Sequence, residues 1–430
     1  MPVATRPLAG SDARKRSAPA HSPIRVALLG CGTVGSSFAH LVQQPSRGRE
    51  VVITHALVRD RRQLRPSLNS AADVIDEWHT LFDAEPDVVV ELLGGLEPAR
   101  TIVRAALQRG IAVVTANKSL LAVHGAELRS IAAKTATPLL FEAAVMAGVP
   151  FLGTFARRPH ASAITGLGGI VNGTSNYLLT RARDERCGIL EALADAQALG
   201  FAEPDPSKDL DGIDAAEKLV VLLQQFGGFD VALSELETEG ITRVTPDDLA
   251  RARTLGGTIK PVIHADWSHD LHAFAAPAFV ADTDLLASVD GVENALSVRG
   301  TRGRVVFRGP GAGADVTAAT VLDDVLEASR PAAQSTFTPL RSARVAAPDT
   351  PWFIQLSAGR LPEPVEIADL LASHGVFVQR STVDGAGSRF SAITLTCTRR
   401  RIEAAMRACR AAAGCQTVLF RAVEGSRHGR

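Results

Sequence analysis

The feature that most restricts the fold is a junction near the N-terminus. Ile24–Leu29 reads IRVALL and runs directly into Gly30-Cys-Gly-Thr-Val-Gly35, and an apolar helical pattern continues through Val42. A short apolar run closed by glycines marks a strand buried on both faces, then a tight turn, then a helix. Gly30 permits the turn, Gly32 lets the backbone approach a pyrophosphate, and Gly35 lets the helix close on the strand. Thr33 and Val34 complete this contact surface at the helix start. The free amides and positive end of such a helix favour phosphate. The same glycines could serve a structural turn, but their position after a hydrophobic strand favours a dinucleotide site.

The next segments extend that plan. Val51–Val58 is a second strand, ending at Arg59-Asp-Arg-Arg62. An acidic residue there would hold the ribose 2′-hydroxyl of NAD, whereas an arginine accommodates the 2′-phosphate of NADP. Arg59 comes first, so the reading leans to NADP, and Asp60 leaves NAD open. Asp87–Leu93 and Ile111–Val114 are further apolar strands, ending in Gly94-Gly-Leu-Glu-Pro98 and Thr115-Ala-Asn-Lys118. Pro138–Phe141 is another, followed by Glu142, which could be buried and paired, bind a cation or cap the next helix. Strands alternating with helices indicate a parallel, doubly wound α/β sheet of the Rossmann type. Ligands sit at the C-terminal strand ends of such sheets. Gly30, Gly94 and Lys118 all lie at such ends.

A second constraint lies between Ala196 and Lys218. Glu203, Asp205, Asp209, Asp211 and Asp214 are crowded together there, and two prolines and Gly212 prevent one helix from absorbing them. Beyond Gly212, Ile213, Ala216, Leu219, Val220 and Leu223 recur at helical spacing, which puts Asp214 and Lys218 one turn apart. An i,i+4 pair is ordinarily a solvated salt bridge worth about 0.3–0.5 kcal/mol. Here it follows a stiffened acidic loop. That arrangement suits a small amino-acid substrate: carboxylates for the ammonium, a lysine near the reacting oxygen.

The remaining chain divides into a substrate domain and a tail module. Ser162–Val171 reads as a strand leading to Asn172-Gly-Thr-Ser-Asn176, where Asn172 or Thr174 caps a helix. Residues 258–308 alternate short strands with turns. Gly309-Pro-Gly-Ala-Gly313 opens a helix to Ala328, either as a second phosphate loop around Gly311 or as the hinge back to the first domain. The expected plan is a disordered tail at 1–23, a nucleotide domain at 24–155 plus 309–330, and an α+β substrate and dimerisation domain at 156–308. A linker follows at 331–350. Residues 351–424 read as a self-contained βαββαβ, ferredoxin-like unit.

Composition narrows the function classes. Formal net charge is zero, with no basic footprint for nucleic acid. No run of eighteen apolar residues offers a membrane span. Five unpatterned cysteines argue for a reducing, cytoplasmic setting and against a zinc site. Only six lysines occur, and Lys118 and Lys218 are two of them.

These motifs together resemble the homoserine dehydrogenase family over roughly residues 24–330. The most specific stretch is AQALGFAEPDPSKDLDGIDAAEK; GCGTVG, GGLEPA, TANK, EAAVMAGVP, GIVNGTSNYLL and GPGAG match in order and spacing. The resemblance implies NAD(P)-dependent interconversion of L-homoserine and L-aspartate 4-semialdehyde, in threonine, methionine and isoleucine biosynthesis. It implies that Lys218 donates the proton, that Lys118 lies by nicotinamide and substrate, and that Glu203, Asp209 and Asp214 bind substrate or support the catalytic lysine. Gly200 would approach substrate and cofactor. A monovalent cation, Na+ or K+, would be held by Glu142 and the carbonyls of Val145, Ala147 and Val149. Lys208 departs from relatives that carry an acidic residue there. The tail module resembles an ACT domain, which implies an L-threonine effector and a homodimer or homotetramer. Its usual Asp-x-Pro-Gly turn is degraded to Ala358-Gly-Arg-Leu-Pro-Glu-Pro364, so the glycine that lets backbone amides meet a ligand is not in place, which keeps the fold expectation and weighs against the effector.

The chemistry stands beside the resemblance. Reducing an aldehyde delivers hydride to carbon and leaves charge on oxygen, which a lysine can stabilise and protonate. A lysine pKa of about 10.4 is high for that exchange. A second lysine nearby would lower it and Asp214 would raise it. Lys118 and Lys218 are therefore expected to tune each other, with Asp214 orienting Lys218. Two other readings compete: an NADP-linked reductase of a related semialdehyde, and a nucleotide-sensing regulator without turnover.

Overall fold

The computed structural model describes residues 22–44, 51–63, 65–68, 72–157, 163–301, 303–330, 339–347 and 349–423. Nearly all of the expected tail at 1–23, and residues 331–338 and 348 of the expected linker, lie outside the described residues.

The first sheet holds β1 (Ile24–Leu29), β2 (Val51–Leu57), β3 (Asp73–Ile75), β4 (Val88–Glu91), β5 (Ala112–Thr115) and β6 (Leu139–Leu140). Their order is β3-β2-β1-β4-β5-β6, and every neighbouring pair is parallel. That is the dinucleotide-binding topology, with its switch point between β1 and β4. Helices α1 (Thr33–Leu41), α2 (Ala99–Gln108) and α3 (Lys118–Thr135) connect the strands, and α4 (Leu152–Arg157) leads out of the sheet. The apolar run of β1 serves both faces. Val26 and Leu28 pack in one core with Phe38, Val321 and Val325, while Ala27 and Leu29 pack in another with Ile102, Val103 and Leu107.

The second region carries α5 (Gly173–Glu185), α6 (Ile189–Ala198), α7 (Ser207–Leu210), α8 (Ile213–Leu222) and α9 (Pro246–Thr254). Its strands are β7 (Ile164–Ile170), the two-residue β8 (Phe229–Asp230) and β9 (Glu237–Thr238), then β10 (Gly257–Asp266), β11 (His272–Ala281), β12 (Glu293–Gly300) and β13 (Gly303–Pro310). Residues 257–310 thus form four long strands where the sequence suggests short ones; Pro261 and Pro277 look like breaks but face each other in register across β10 and β11. After β13, α10 (Ala314–Ala328) returns to the first sheet and packs Val321 and Val325 beneath β1.

The short β14 (Arg341–Ser342) pairs with β8. The last unit is β15 (Trp352–Ser357), α11 (Pro364–Ser373), β16 (Val378–Val383), β17 (Arg389–Thr394), α12 (Arg399–Ala413) and β18 (Gln416–Val423). It is not self-contained. β18 pairs with β15 on one side and, in parallel, with β11 on the other, matching Ala278 to Arg421 and Val280 to Val423. One ten-stranded sheet therefore runs β13-β12-β7-β10-β11-β18-β15-β17-β16, with β9 attached to β11. The reason is shared apolar surface: Phe353, Ile393 and Phe420 are buried in the same core as Leu249, Ile259 and Phe279.

Candidate active site

Three strand ends build the nucleotide side. Gly30 has φ 91°, and a Cβ there would stand 2.8 Å from the Leu92 carbonyl. A Cβ on Gly35 would stand 2.1 Å from the Gly30 carbonyl, so α1 closes on the turn only because that side chain is missing. Gly32 caps α1 without a side-chain hydrogen bond, and nothing approaches its Cβ position within 4 Å. The first turn of α1, with Thr33 and Val34, thus offers amides to open space, as a pyrophosphate requires. Gly94 and Gly95 have φ 72° and 70° and also face open space. Arg59 is exposed just beyond β2, with no side-chain partner among the described residues.

A carboxylate at the end of an otherwise apolar strand ties these turns together. Glu91 closes β4 and is fully buried. It accepts the Leu93 amide at 2.9 Å, the Thr115 hydroxyl at 2.5 Å and the Asn117 amide at 3.4 Å. Asn117 also donates to the Gly95 carbonyl at 2.7 Å, and its Oδ1 caps α3 through Leu120 N at 3.0 Å. Lys118 is therefore the first residue of a helix whose start is clamped to the glycine turn. Burial raises the Glu91 carboxyl, and its hydrogen bonds oppose that rise.

The substrate side is organised by α8. Gly212, at φ 77°, precedes it; a Cβ there would meet the Glu239 carbonyl at 2.9 Å. Asp214, Glu217 and Lys218 are all buried on this one helix. Buried charges must be paired. Asp214 Oδ1 lies 3.1 Å from Lys118 Nζ, and Oδ2 lies 2.9 Å from Lys218 Nζ. Lys218 also donates to the Val171 carbonyl at 2.6 Å. Of its three ammonium donors, one has no acceptor among the described residues. Lys118 has two such donors, and its side chain is 31% exposed.

Asn172 completes the cluster. Its Oδ1 caps α5 by accepting Ser175 N at 2.7 Å. Its Nδ2 donates to Asp214 Oδ2 and to Asp209 Oδ1, both at 2.7 Å. The sequence reading gave this residue only the cap. Its second role comes from contacts 37 and 42 positions away, which no local pattern reveals.

The electrostatics of the cluster set burial against pairing. Burial alone would raise the Asp214 carboxyl, but Lys218 and Lys118 together hold it well below the usual carboxylate range. Burial would lower Lys118, yet Asp214, Glu217 and Asp209 outweigh burial and raise it. Of the two opposed effects expected at these lysines, the carboxylate's prevails at Lys118, because Asp214 sits between the two amines. Asp209 is raised, chiefly by burial, against the pull of Asn172.

The structure therefore brings together Lys118, Lys218, Asp214 and Asp209. It leaves Glu203 exposed, with no side-chain bond to that group. Gly200, at φ 77°, ends α6: Phe201 N donates to the Ala196 carbonyl and Gly200 N to the Gln197 carbonyl, as a left-handed glycine cap demands. Gly311 packs against Asn294, where a Cβ would stand 1.8 Å from the amide nitrogen, and its carbonyl accepts Ala147 N. Glu142 accepts the amides of Phe151, Leu152 and Gly153 at 2.9, 2.8 and 2.7 Å, at the start of α4.

Comparison with known proteins agrees across both halves. The profile described as "Homoserine dehydrogenase, NAD binding domain" matches residues 30–142, and the one described as "Homoserine dehydrogenase" matches residues 150–326. A homoserine dehydrogenase of Helicobacter pylori is 34% identical over 371 residues, spanning 84% of this chain and 85% of that protein. The crystal structure of a homoserine dehydrogenase from Thiobacillus denitrificans aligns with a TM-score of 0.86 at 31% identity, covering 94% of this chain and 99% of that one. A hyperthermophilic archaeal homoserine dehydrogenase mutant, solved in complex with NADPH, aligns with a TM-score of 0.61 at 26% identity, over 72% of this chain and 98% of that one.

Proposed function

The chain belongs to the homoserine dehydrogenase family, oxidoreductases acting on a CH–OH group, and from that premise we propose how its residues divide the reaction. The observation that carries the reading is the Asp214 carboxylate held between Lys118 and Lys218, with Lys118 next to the Asn117 that donates to the Gly95 carbonyl. The nicotinamide cofactor supplies the hydride acceptor for L-homoserine and the donor for L-aspartate 4-semialdehyde. Lys218 gives or takes the proton at the substrate oxygen through its one uncommitted donor. Lys118 stabilises charge on that oxygen from the helix start clamped by Asn117 and Glu91. Asp214 fixes both amines. Asp209, half-buried and held by Asn172, faces the substrate ammonium. Glu203 joins it from the loop rim, a part that rests on the family motif. Gly30, Gly32, Thr33, Val34, Gly35 and Gly94 cradle the cofactor, with Gly200 and Gly311 beside it. Arg59, exposed and with no side-chain partner among the described residues, receives a 2′-phosphate, so NADP is preferred over NAD.

The test is L-homoserine oxidation followed at 340 nm with each cofactor. Lys218→Met is expected to lower kcat about 10²–10⁴-fold, and Lys218→Arg to restore little, because guanidinium does not release its proton. Arg59→Ala should lower kcat/KM for NADP+ more than for NAD+. Near-normal kcat in Lys218→Met would end the assignment. The competing readings, a reductase of another semialdehyde and a regulator without turnover, are not favoured, since the profiles and relatives all carry one enzyme's description.

Two further parts belong to this proposal. Val145 and Ala147 are 1% exposed, and their carbonyls accept no hydrogen bond among the described residues. With Glu142 and the Val149 carbonyl they fit a monovalent cation, Na+ or K+. The last unit, whose strands lie in the order β18-β15-β17-β16, supports an ACT-like reading with L-threonine as effector in a homodimer or homotetramer. A pathway place in threonine, methionine and isoleucine synthesis, and a cytoplasmic setting, follow from the same reading.

A further inference from the structure

Lys208 is a residue of the acidic loop to which the family pattern assigns no role. It lies on α7, between the loop prolines and Asp209. Its ammonium reaches Glu217 Oε1 on α8 at 3.0 Å and Ser119 Oγ on α3 at 3.1 Å. Ser119 in turn donates to Glu217 Oε2 at 2.8 Å. Each group is satisfied: the hydroxyl accepts from Lys208 and donates to Glu217, and both carboxylate oxygens are used. Three separate elements meet at this point, and each carries a residue of the proposed site. Ser119 follows Lys118, Glu217 precedes Lys218, and Lys208 precedes Asp209.

Charge makes the contact more than a rim salt bridge. Glu217 is buried, its side chain 7% exposed, whereas the Lys208 side chain is 56% exposed. Without Lys208 a buried carboxylate would stand uncompensated beside Lys118. With it, Lys118, Lys208 and Lys218 face Asp209, Asp214 and Glu217, three cations against three anions. Glu91, behind Asn117, is a further charged group next to the start of α3.

We infer that Lys208 is a positioning residue: its bridge to Glu217 and Ser119 latches the substrate loop onto the nucleotide domain and keeps Glu217 from biasing the catalytic amines. This inference rests on the proposed roles of Lys118 and Lys218. Oxidation of the alcohol needs an amine that can accept a proton. Removing the Lys208 charge leaves the Glu217 carboxylate to favour the ammonium form, and removing the Glu217 charge does the reverse. Releasing the latch also frees the loop that carries Asp209.

The test compares Lys208→Met, Lys208→Arg, Glu217→Gln and the Met/Gln double variant. The pH profile of kcat/KM for L-homoserine and hydrogen exchange of residues 203–212 are read on each. Lys208→Met is expected to raise KM for L-homoserine about fivefold or more, and to move the rise of the profile upward by about half a pH unit. Glu217→Gln moves it downward, the double variant lies near wild type, and Lys208→Arg recovers most of both effects. Loop amides exchange faster in Lys208→Met. The glutamine retains the shape of Glu217 and an acceptor for Lys208, its Nε2 can donate to the Ser119 hydroxyl in place of the bond that hydroxyl now donates, and half-exposed Lys208 is not needed for folding. Both single variants shifting in the same direction, or a lower melting temperature with KM, profile and loop exchange unchanged, would overturn the latch. Faster loop exchange in Lys208→Met, together with a wild type that does not oxidise homoserine, would keep the latch and reject the proposed reaction instead.

Discussion

Each oxygen of the Asp214 carboxylate is committed to a different lysine, so Asp214→Asn leaves two ammonium groups facing a neutral amide. Breaking a buried pair by removing one partner costs about 3–5 kcal/mol. The partly exposed Lys118 places this case at the lower end. The sign of the pH dependence follows from the shifts. The Asp214 carboxyl is depressed in the folded state, so its contribution is complete above about pH 4, the unfolded value, and fades as the pH falls further. Lys118 is raised, so its contribution is complete below about pH 10 and fades above that. Denaturant melts of wild type and Asp214→Asn should therefore differ by about 3 kcal/mol at pH 7, and by clearly less at pH 3. A gap that does not narrow on acidification would show that Asp214 is not held ionised by the lysines.

At the scale of elements, the turn from β6 into α4 poses a solvation problem. Glu142 spends its carboxylate on three amides at the start of α4, while the buried carbonyls of Val145 and Ala147 find no donor among the described residues. The proposed cation would resolve this and would stabilise the folded state by mass action. Melting in sodium or potassium chloride should occur about 2–4 °C above melting in tetramethylammonium chloride of equal ionic strength. Equal melting temperatures would remove the cation. The same scale explains what was legible in advance. The strand, glycine turn and helix at 24–42 could be read because buried strands and glycine turns leave local signatures, and the structure repeats them in order. The Asp214–Lys218 pair could be read because it is one helical turn apart. Asn172 could not, since its partners at 209 and 214 come from another element. Glu91 was hidden inside an apolar strand, although an acid closing VVVE is a signal that could have been taken. The helix Pro246–Thr254 carries a capping box between Thr245 and Asp248 that also went unread.

At the scale of the molecule, the fusion of the last unit to the second sheet changes what that unit can be. A module hung on a flexible tether can be removed without harm to its neighbour, and residues 351–424 read that way in isolation. The sheet contradicts it. β18 covers the edge of β11, and Arg421, 3% exposed, lies over the rings of Phe274 and Trp352 and pairs with Glu237. Glu237 also meets Arg399 at the start of α12, and the next residues of that segment reach the active-site loop, where Ile241 N donates to the Leu210 carbonyl at 2.8 Å. Truncation after residue 350 would strip Phe353, Ile393 and Phe420 from the core that holds Phe279 and Leu249. Losing one large buried side chain costs about 2–5 kcal/mol, so losing three is comparable to the whole stability of an ordinary domain. It would also bare the Ala278–Val280 edge of β11, an apolar strand edge of the kind that invites aggregation. The truncated chain is therefore expected to be insoluble or to melt far below the full protein, and a soluble, active truncation with unchanged melting temperature would refute the fusion. The same geometry sets the form of any effector response. A ligand such as L-threonine on the last unit would act through β18, Arg421 and Glu237, so threonine should change KM for L-homoserine in the wild type but not in Glu237→Gln. Threonine that alters neither activity nor melting temperature would leave the unit with a purely structural role.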